Sequence, residues 1–565
     1  MLSTTRRGKL YGLALGRFLS RGTLVLLATV ALPRAILILG LATLCSAQVS
    51  AQQKAADTEK VGTVHFAVSC LPATQEPFDH AVAMLHSFWY PPDLNAFTEI
   101  TRTDPSCAMV YWGIAMSRRA NPLVGAPDPV VLKEGLAAAE KAREIDAKTQ
   151  REKDYIAAIG IYYDNWEKLD FKTRVLGYEQ AMEQIYLRYP EDQEAAVFYA
   201  LAINEAMMVM PADPNYTAQL KAGAILEKVL ATQPEHPGAL HYLIHSYDFP
   251  PMAERGLAAA RQYGQVAPSA PHALHMPSHT YSMLGMWPES IKANQAALLA
   301  AKGYAHALDF TIYAYLQGAQ DMAAKQVVER GIELQKTQGA AGTANPTGAV
   351  LAGYTALAAI PARYALERGA WGEAAVLQPQ HTAPVADSIT YFTRAMGSAR
   401  GGDLQGARAN IEELTQVRDR LAQAKDEYWL QQVEIQRDAA TAWLQYEEGK
   451  KNAALKLMRT AADLEDASEK HVAMENRLWP MRELLGDLLL ASNQPAAAVK
   501  EYETSLRWAR NRYRGLYGAA KAAQLSGNTE KARGYYGALV ALCSNAETDR
   551  PELTEAKKYL AQKVK

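Results

Sequence analysis

ELLGDLLLASNQPAAAVKEYETSL, residues 483–506, is followed by YGAAKAAQLSGNTEKARGYYGAL, residues 517–539. Gly486, Ala498 and Tyr502 return as Ala520, Ala532 and Tyr536, each 34 positions on. Small residues at the first two positions and an aromatic ring at the third let two antiparallel helices pack closely. A 34-residue period is the length of one helix–turn–helix unit. A second run lies mid-chain, where Pro234 returns as Pro268 and Pro237 as Pro271. Proline suits the turn between units and the first helical turn, where its missing N–H is harmless. DQEAAVFYALAINEA (192–206) and WGEAAVL (371–377) fit the same pattern more loosely.

Composition agrees with helix throughout. Ala, Leu, Glu, Lys, Gln and Arg dominate and β-branched runs are scarce. The repeat spacing resembles that of the tetratricopeptide repeat. The expected fold is therefore all-α, an α-solenoid of degenerate tetratricopeptide units. Each unit hides its apolar face only against its neighbours, and the first helices line a concave groove. Gly/Pro-rich breaks at TQGAAGTANPTGA (337–349) and QPQHTAPVAD (378–387) suggest an N-terminal helical half, 52–336, and a C-terminal half, 350–565. A net charge of −1, with no basic stripe interleaved with aromatics, gives no pull toward nucleic acid. No phosphate loop, GxSxG elbow or HExxH pair occurs, so the sequence itself names no reaction.

The first 51 residues read as a leader. Arg6, Arg7, Lys9, Arg17 and Arg21 lie before an apolar stretch from Gly22 to Ala47, interrupted by Pro33 and Arg34. It ends in small-residue patterns that signal peptidase cuts, after Ala47 or Ala51, which predicts a periplasmic or secreted protein. The alternative is an N-terminal membrane anchor, which the length of the run allows. No other segment is apolar enough to span a membrane. In an exported chain, Cys70 and Cys107 flank what reads as one helical hairpin, and a single bridge would close the N-terminal cap. Cys543 would be left unpaired.

The histidines share the period of the fold. Seven of the twelve lie between residues 236 and 306. His241 and His245 are four apart, as are His275 and His279, and the two pairs are offset by 34. The same offset links His272 to His306, and carrying the register on from His275 and His279 gives Asp309 and Tyr313. A spacing of four puts each pair on one helical face. Asp248 adds a carboxylate on the face of His241. Imidazoles and a carboxylate converging from adjacent helices suit a transition metal such as copper, zinc or iron. His241, His245, His275 and His279 are the candidate ligands, with Asp248, His272, His306, Asp309 and His86 behind them. A lone histidine on such a face is ordinarily a hydrogen-bonded core residue, and a peptide or anion could use the same imidazoles. A metal-free scaffold holding a protein or peptide partner in the groove is the competing function. Met207, Met208 and Met210 read as core fillers rather than copper ligands. Pro277, between the paired histidines, either kinks a continuous helix or starts a new one, which would leave His275 in a loop.

Five stretches carry a closer resemblance: CAMVYWGIAMSRRANPL (107–123), HPGALHYLIHSYD (236–248), HALHMPSHTYSMLGMW (272–287), HALDFTIYAYLQ (306–317) and RELLGDLLL (482–490). In these the chain resembles a group of exported bacterial tetratricopeptide proteins that combine HYxIH with HMPSH. The resemblance implies fold and export and marks the histidine segments. It supplies no reaction.

Overall fold

The computed structural model describes residues 59–338, 348–470, 477–548 and 550–562. The leader, both cleavage sites and most of the loop 337–349 lie outside the described residues. Helix is the only regular secondary structure among those residues, and consecutive helices pack against one another in pairs. The period is strict around the histidines. First helices open at Pro237, Pro271 and Ala305, and their partners open at Ala253, Trp287 and Asp321, both series in steps of 34. The fold is thus an all-α tetratricopeptide-type array.

Local chemistry sets these boundaries. Pro237 and Pro271 occupy first-turn positions, where no N–H is required. His236 caps the helix Pro237–Ser246 by accepting the Ala239 N–H at its Nδ1, 3.2 Å away. In the C-terminal repeats, Tyr502 is buried against Gly486 and Gly518, where an added Cβ would collide with its ring. This close approach explains the small residue at position 486.

Pro277 resolves into both of its expected roles. Helix Pro271–His275 is followed by helix Pro277–Leu284, and Met276 between them keeps right-handed helical angles, φ −52° and ψ −36°. The chain therefore stays helical through the proline, with one ladder bond missing. Leu284 is followed by Gly285 at φ 68°, a left-handed cap that glycine adopts without strain. Glycine is needed here twice over, because an added Cβ would meet the Arg510 carbonyl.

The described residues from Lys60 onward form one compact unit. Its largest buried apolar cluster runs from Val61 to Tyr281, and another from Tyr354 to Ala532. Polar contacts tie distant repeats together. The Trp287 indole donates to the Asn511 carbonyl at 2.8 Å, and Asn511 Nδ2 donates to the Gly285 carbonyl at 3.3 Å. Arg512 lies buried between Glu367 and Glu483, each 2.8 Å away, and donates to the Tyr313 hydroxyl. Tyr513 N–H donates to Gln317 Oε1 at 2.9 Å, and Arg550 pairs with Asp321. The first-helix face expected to line an open groove is consequently covered, over these repeats, by the chain itself.

A disulfide joins Cys70 to Cys107, with Cα atoms 5.1 Å apart, and Cys543 is free and buried. Met208 and Met210 are exposed, not core fillers, because their helix ends at Met207 and the chain runs out to the surface. No described helix is long and apolar enough to cross a membrane.

Candidate metal centre

Three successive first helices bring six histidines together in two adjoining groups. The ligand nitrogens of His241, His245 and His272 lie within 4.8 Å of one another, and so do those of His275, His279 and His306. His241, His245, His275 and His279 are buried, while His272 and His306 are partly exposed at the edge. Nε2 of His241 is 3.1 Å from Nε2 of both His245 and His272. Nε2 of His275 is likewise 3.1 Å from Nε2 of His279. Two nitrogens bonded to one ion at about 2.0–2.1 Å stand roughly 3–3.4 Å apart, so the spacing matches shared coordination.

Four of the opposite ring nitrogens are held, and for His241, His275 and His279 the partner fixes the tautomer, whereas His306 Nδ1 is buried without a partner among the described residues. His241 Nδ1 donates to the His86 carbonyl at 2.6 Å, an oxygen that can only accept. His275 Nδ1 lies 2.6 Å from Asn294 Oδ1. Asn294 is oriented by its own amide, which donates to the Ser290 carbonyl at 2.8 Å, so its oxygen faces the imidazole and His275 Nδ1 must carry the proton. His279 Nδ1 donates to Asp248 Oδ2 at 2.8 Å. His272 Nδ1 meets the Tyr304 hydroxyl at 2.7 Å. Such outer partners are what orient imidazole ligands. Neutral His275 and His279 must then present bare lone pairs at Nε2, and these face each other across 3.1 Å. His241 offers one lone pair to two neighbouring nitrogens.

A cation between the nitrogens would relieve that arrangement. A proton is disfavoured, because burial pushes all six imidazoles below their usual range, with His275 at about 4. Neighbouring imidazoles lower His241, His245, His272, His279 and His306 further. Asp248 cannot offset this fully, since the Lys470 ammonium, 3.0 Å away, shares the same carboxylate oxygen.

Other sequence-stretch candidates have different partners. Asp248 supports His279 from behind, and its Oδ1 is buried without a partner among the described residues. The His86 ring stands apart with Glu194 and His236, each imidazole Nε2 lying 2.8 Å from a Glu194 oxygen. His236 accepts at Nδ1, so its Nε2 carries a proton, and this trio is a satisfied hydrogen-bond network rather than a ligand set. Burial outweighs the pairing at His86 and lowers its imidazole, whereas His236 and His86 together hold the Glu194 carboxyl well below its ordinary range. Asp309 joins neither set, because Arg363 grips its carboxylate at 2.7 and 3.4 Å. Asp309 and Tyr313 are the period-mates of His275 and His279, so the third repeat holds arginine where the second holds paired imidazoles. Asn294, Tyr304, Glu194 and Lys470 were not singled out from the sequence; Asn294 and Tyr304 lie near the histidines in the chain, whereas Lys470 arrives from 222 residues away.

No protein-family model matches the chain, and no curated protein matches it. Solved structures do align. A tetratricopeptide repeat protein from Parabacteroides merdae is 10% identical over 52% of this chain and all of its own, with a TM-score of 0.28. Human IFIT1, solved as a dimer with PPP-AAAA, is 13% identical over 77% of this chain and 91% of its own, with a TM-score of 0.38. The Cut9-Hcn1 structure of the APC/C is 11% identical, covering 86% of this chain and 90% of its own, with a TM-score of 0.33.

Proposed function

We propose that this helical-repeat protein binds a transition metal in its histidine cluster and works outside the cytoplasm. The observation that carries the reading is the pair His275 and His279. Each has its Nδ1 proton committed to an acceptor, and their bare Nε2 atoms stand 3.1 Å apart in a buried site. Such a contact repels unless an ion lies between the lone pairs. Export is supported by the leader composition and by the Cys70–Cys107 disulfide, a bond that persists in oxidising compartments.

Elemental analysis of untagged protein purified from the periplasm tests the metal reading. Stoichiometric metal in the native chain, lost in a His241→Ala/His275→Ala double variant that still folds, is the expected result. Metal-free protein that resists reconstitution would overturn it. N-terminal sequencing of the same material tests export, with Gln48 or Gln52 as the expected first residue.

Helical-repeat folds also serve as interaction scaffolds. The groove reading is less favoured at the histidines, because Lys470, Arg363 and Arg512 already occupy that face.

A further inference from the structure

The 34-residue period builds the same ligand set twice. His241, His245 and His272 map onto His275, His279 and His306 by one common offset. Each set is walled by one phenylalanine. Phe88 packs on His241, His272 and His245 with ring centroids 4.5, 5.4 and 6.2 Å apart. Phe310 packs on His279, His275 and His306 at 4.6, 4.8 and 5.0 Å. Phe88 sits at φ 50°, a left-handed conformation rare for a bulky residue. The two sets adjoin, with His245 and His279 centroids 6.1 Å apart and His272 and His275 centroids 6.0 Å apart.

Resting on the metal-binding reading, we propose that each three-histidine set holds one copper ion and that the pair reacts together with dioxygen.

The donor set selects the metal. All six ligands are neutral imidazoles, and the nearest carboxylate, Asp248, is already shared between His279 and Lys470. Two divalent ions would bring four positive charges into this buried region, whereas two cuprous ions bring two. The cost of burying charge falls accordingly. Imidazole suits copper, and copper leads the first-row affinity order. Three donors per ion leave a position open on each, the requirement for binding a further reactant. Adjoining sets with apolar ring walls favour a small, uncharged one.

Dioxygen fits that description, and the reaction balances without another reagent. Each cuprous ion gives up one electron and becomes cupric. Dioxygen takes both electrons and becomes a peroxide dianion held between the two ions, with no proton gained or lost. The partly exposed edge at His272 and His306 is where it would enter.

The test loads the metal-free full chain with cuprous ion under anaerobic conditions and then admits air. Expected are two coppers per chain, one dioxygen consumed per two coppers, a new peroxide-to-copper absorption band, and cupric ions silent in electron paramagnetic resonance because their spins couple. His272→Ala and His306→Ala, made separately, should each keep one copper and lose dioxygen uptake. Should one of them not fold, the other and the wild-type stoichiometry still decide. One copper per chain, unaffected by His306→Ala, overturns the paired centre and leaves metal binding standing. Two coppers with isolated cupric signals and no dioxygen uptake overturn the reaction with dioxygen. No bound copper, with another metal retained, overturns the copper assignment. No bound metal of any kind overturns the metal reading itself.

Discussion

Replacing Asn294 by leucine keeps the branched shape but removes the acceptor at His275 and the donor to the Ser290 carbonyl, and it should be felt at an ion that Asn294 never touches. The Asn294 oxygen, 2.6 Å from His275 Nδ1, keeps the proton on that nitrogen and leaves Nε2 free to ligate. In Asn294→Leu the proton can move to Nε2 and be donated to His279 Nε2, 3.1 Å away. That tautomer heals the clash of lone pairs without any metal. His275 Nδ1 is then an acceptor, and the Ser278 hydroxyl, 3.5 Å away, can turn to serve it. Losing an outer partner of a ligating histidine typically weakens metal affinity about 10–100-fold, or roughly 1.4–2.7 kcal/mol. The metal-free protein should lose about 1–3 kcal/mol, because the amide donor to the Ser290 carbonyl is lost together with the acceptor at His275. Asn294→Asp keeps an acceptor and should keep the affinity. Competition against a chromophoric chelator measures the binding, and thermal melts with and without metal separate it from stability. Native-like affinity in Asn294→Leu would refute the tautomer argument. A large drop in melting temperature without metal would show that Asn294 acts only through packing.

Acid should unfold the metal-free protein early. His275 is neutral when folded down to about pH 4, but unfolded it takes a proton below about 6.5. Its stabilising share is therefore complete above pH 6.5 and is lost as pH falls toward 4, about 2 kcal/mol of it by pH 5. The other five histidine imidazoles shift in the same direction, so urea midpoints should fall steeply between pH 7 and 5, and bound metal should raise them throughout without flattening the fall; a pH-independent midpoint contradicts the buried neutral cluster. Removing the disulfide with Cys70→Ala/Cys107→Ala opens a loop of 37 residues and should cost about 3–4 kcal/mol, read from denaturant midpoints. Gly238→Ala should drive a methyl into the His86 ring, lose about 1–3 kcal/mol and weaken metal binding, since the His86 carbonyl holds His241. Gly353→Ala, with open space at its Cβ, should do neither.

What could be read beforehand follows from what is local. The period was legible because small residues and tyrosines must recur wherever two helices pack closely. The paired histidines were legible because a spacing of four is a property of one helix. The offset joining His272 to His306 was visible too, but that each completes a set needed the neighbouring helix in place. Lys470 was beyond reach, since its partner Asp248 lies 222 residues away and no sequence pattern links them. Asp309 shows the converse. Its register matches His275, yet Arg363, 54 residues on, captures the carboxylate and removes it from the cluster. Pro277 allowed two readings because proline disfavours helical angles in the residue before it. Burial of Met276 in the core holds those angles nonetheless.

An ordinary helical solenoid behaves as a one-dimensional chain, in which each repeat answers only to its neighbours and the ends can melt alone. The contacts of Trp287 and Gly285 with Asn511, and of Asp321 with Arg550, join stretches more than 220 residues apart in sequence. They couple the fate of the final repeats to that of the histidine repeats. Unfolding should then approach a single transition, and trimming the C-terminal repeats, far from any ligand, should loosen the histidine cluster where three helices meet.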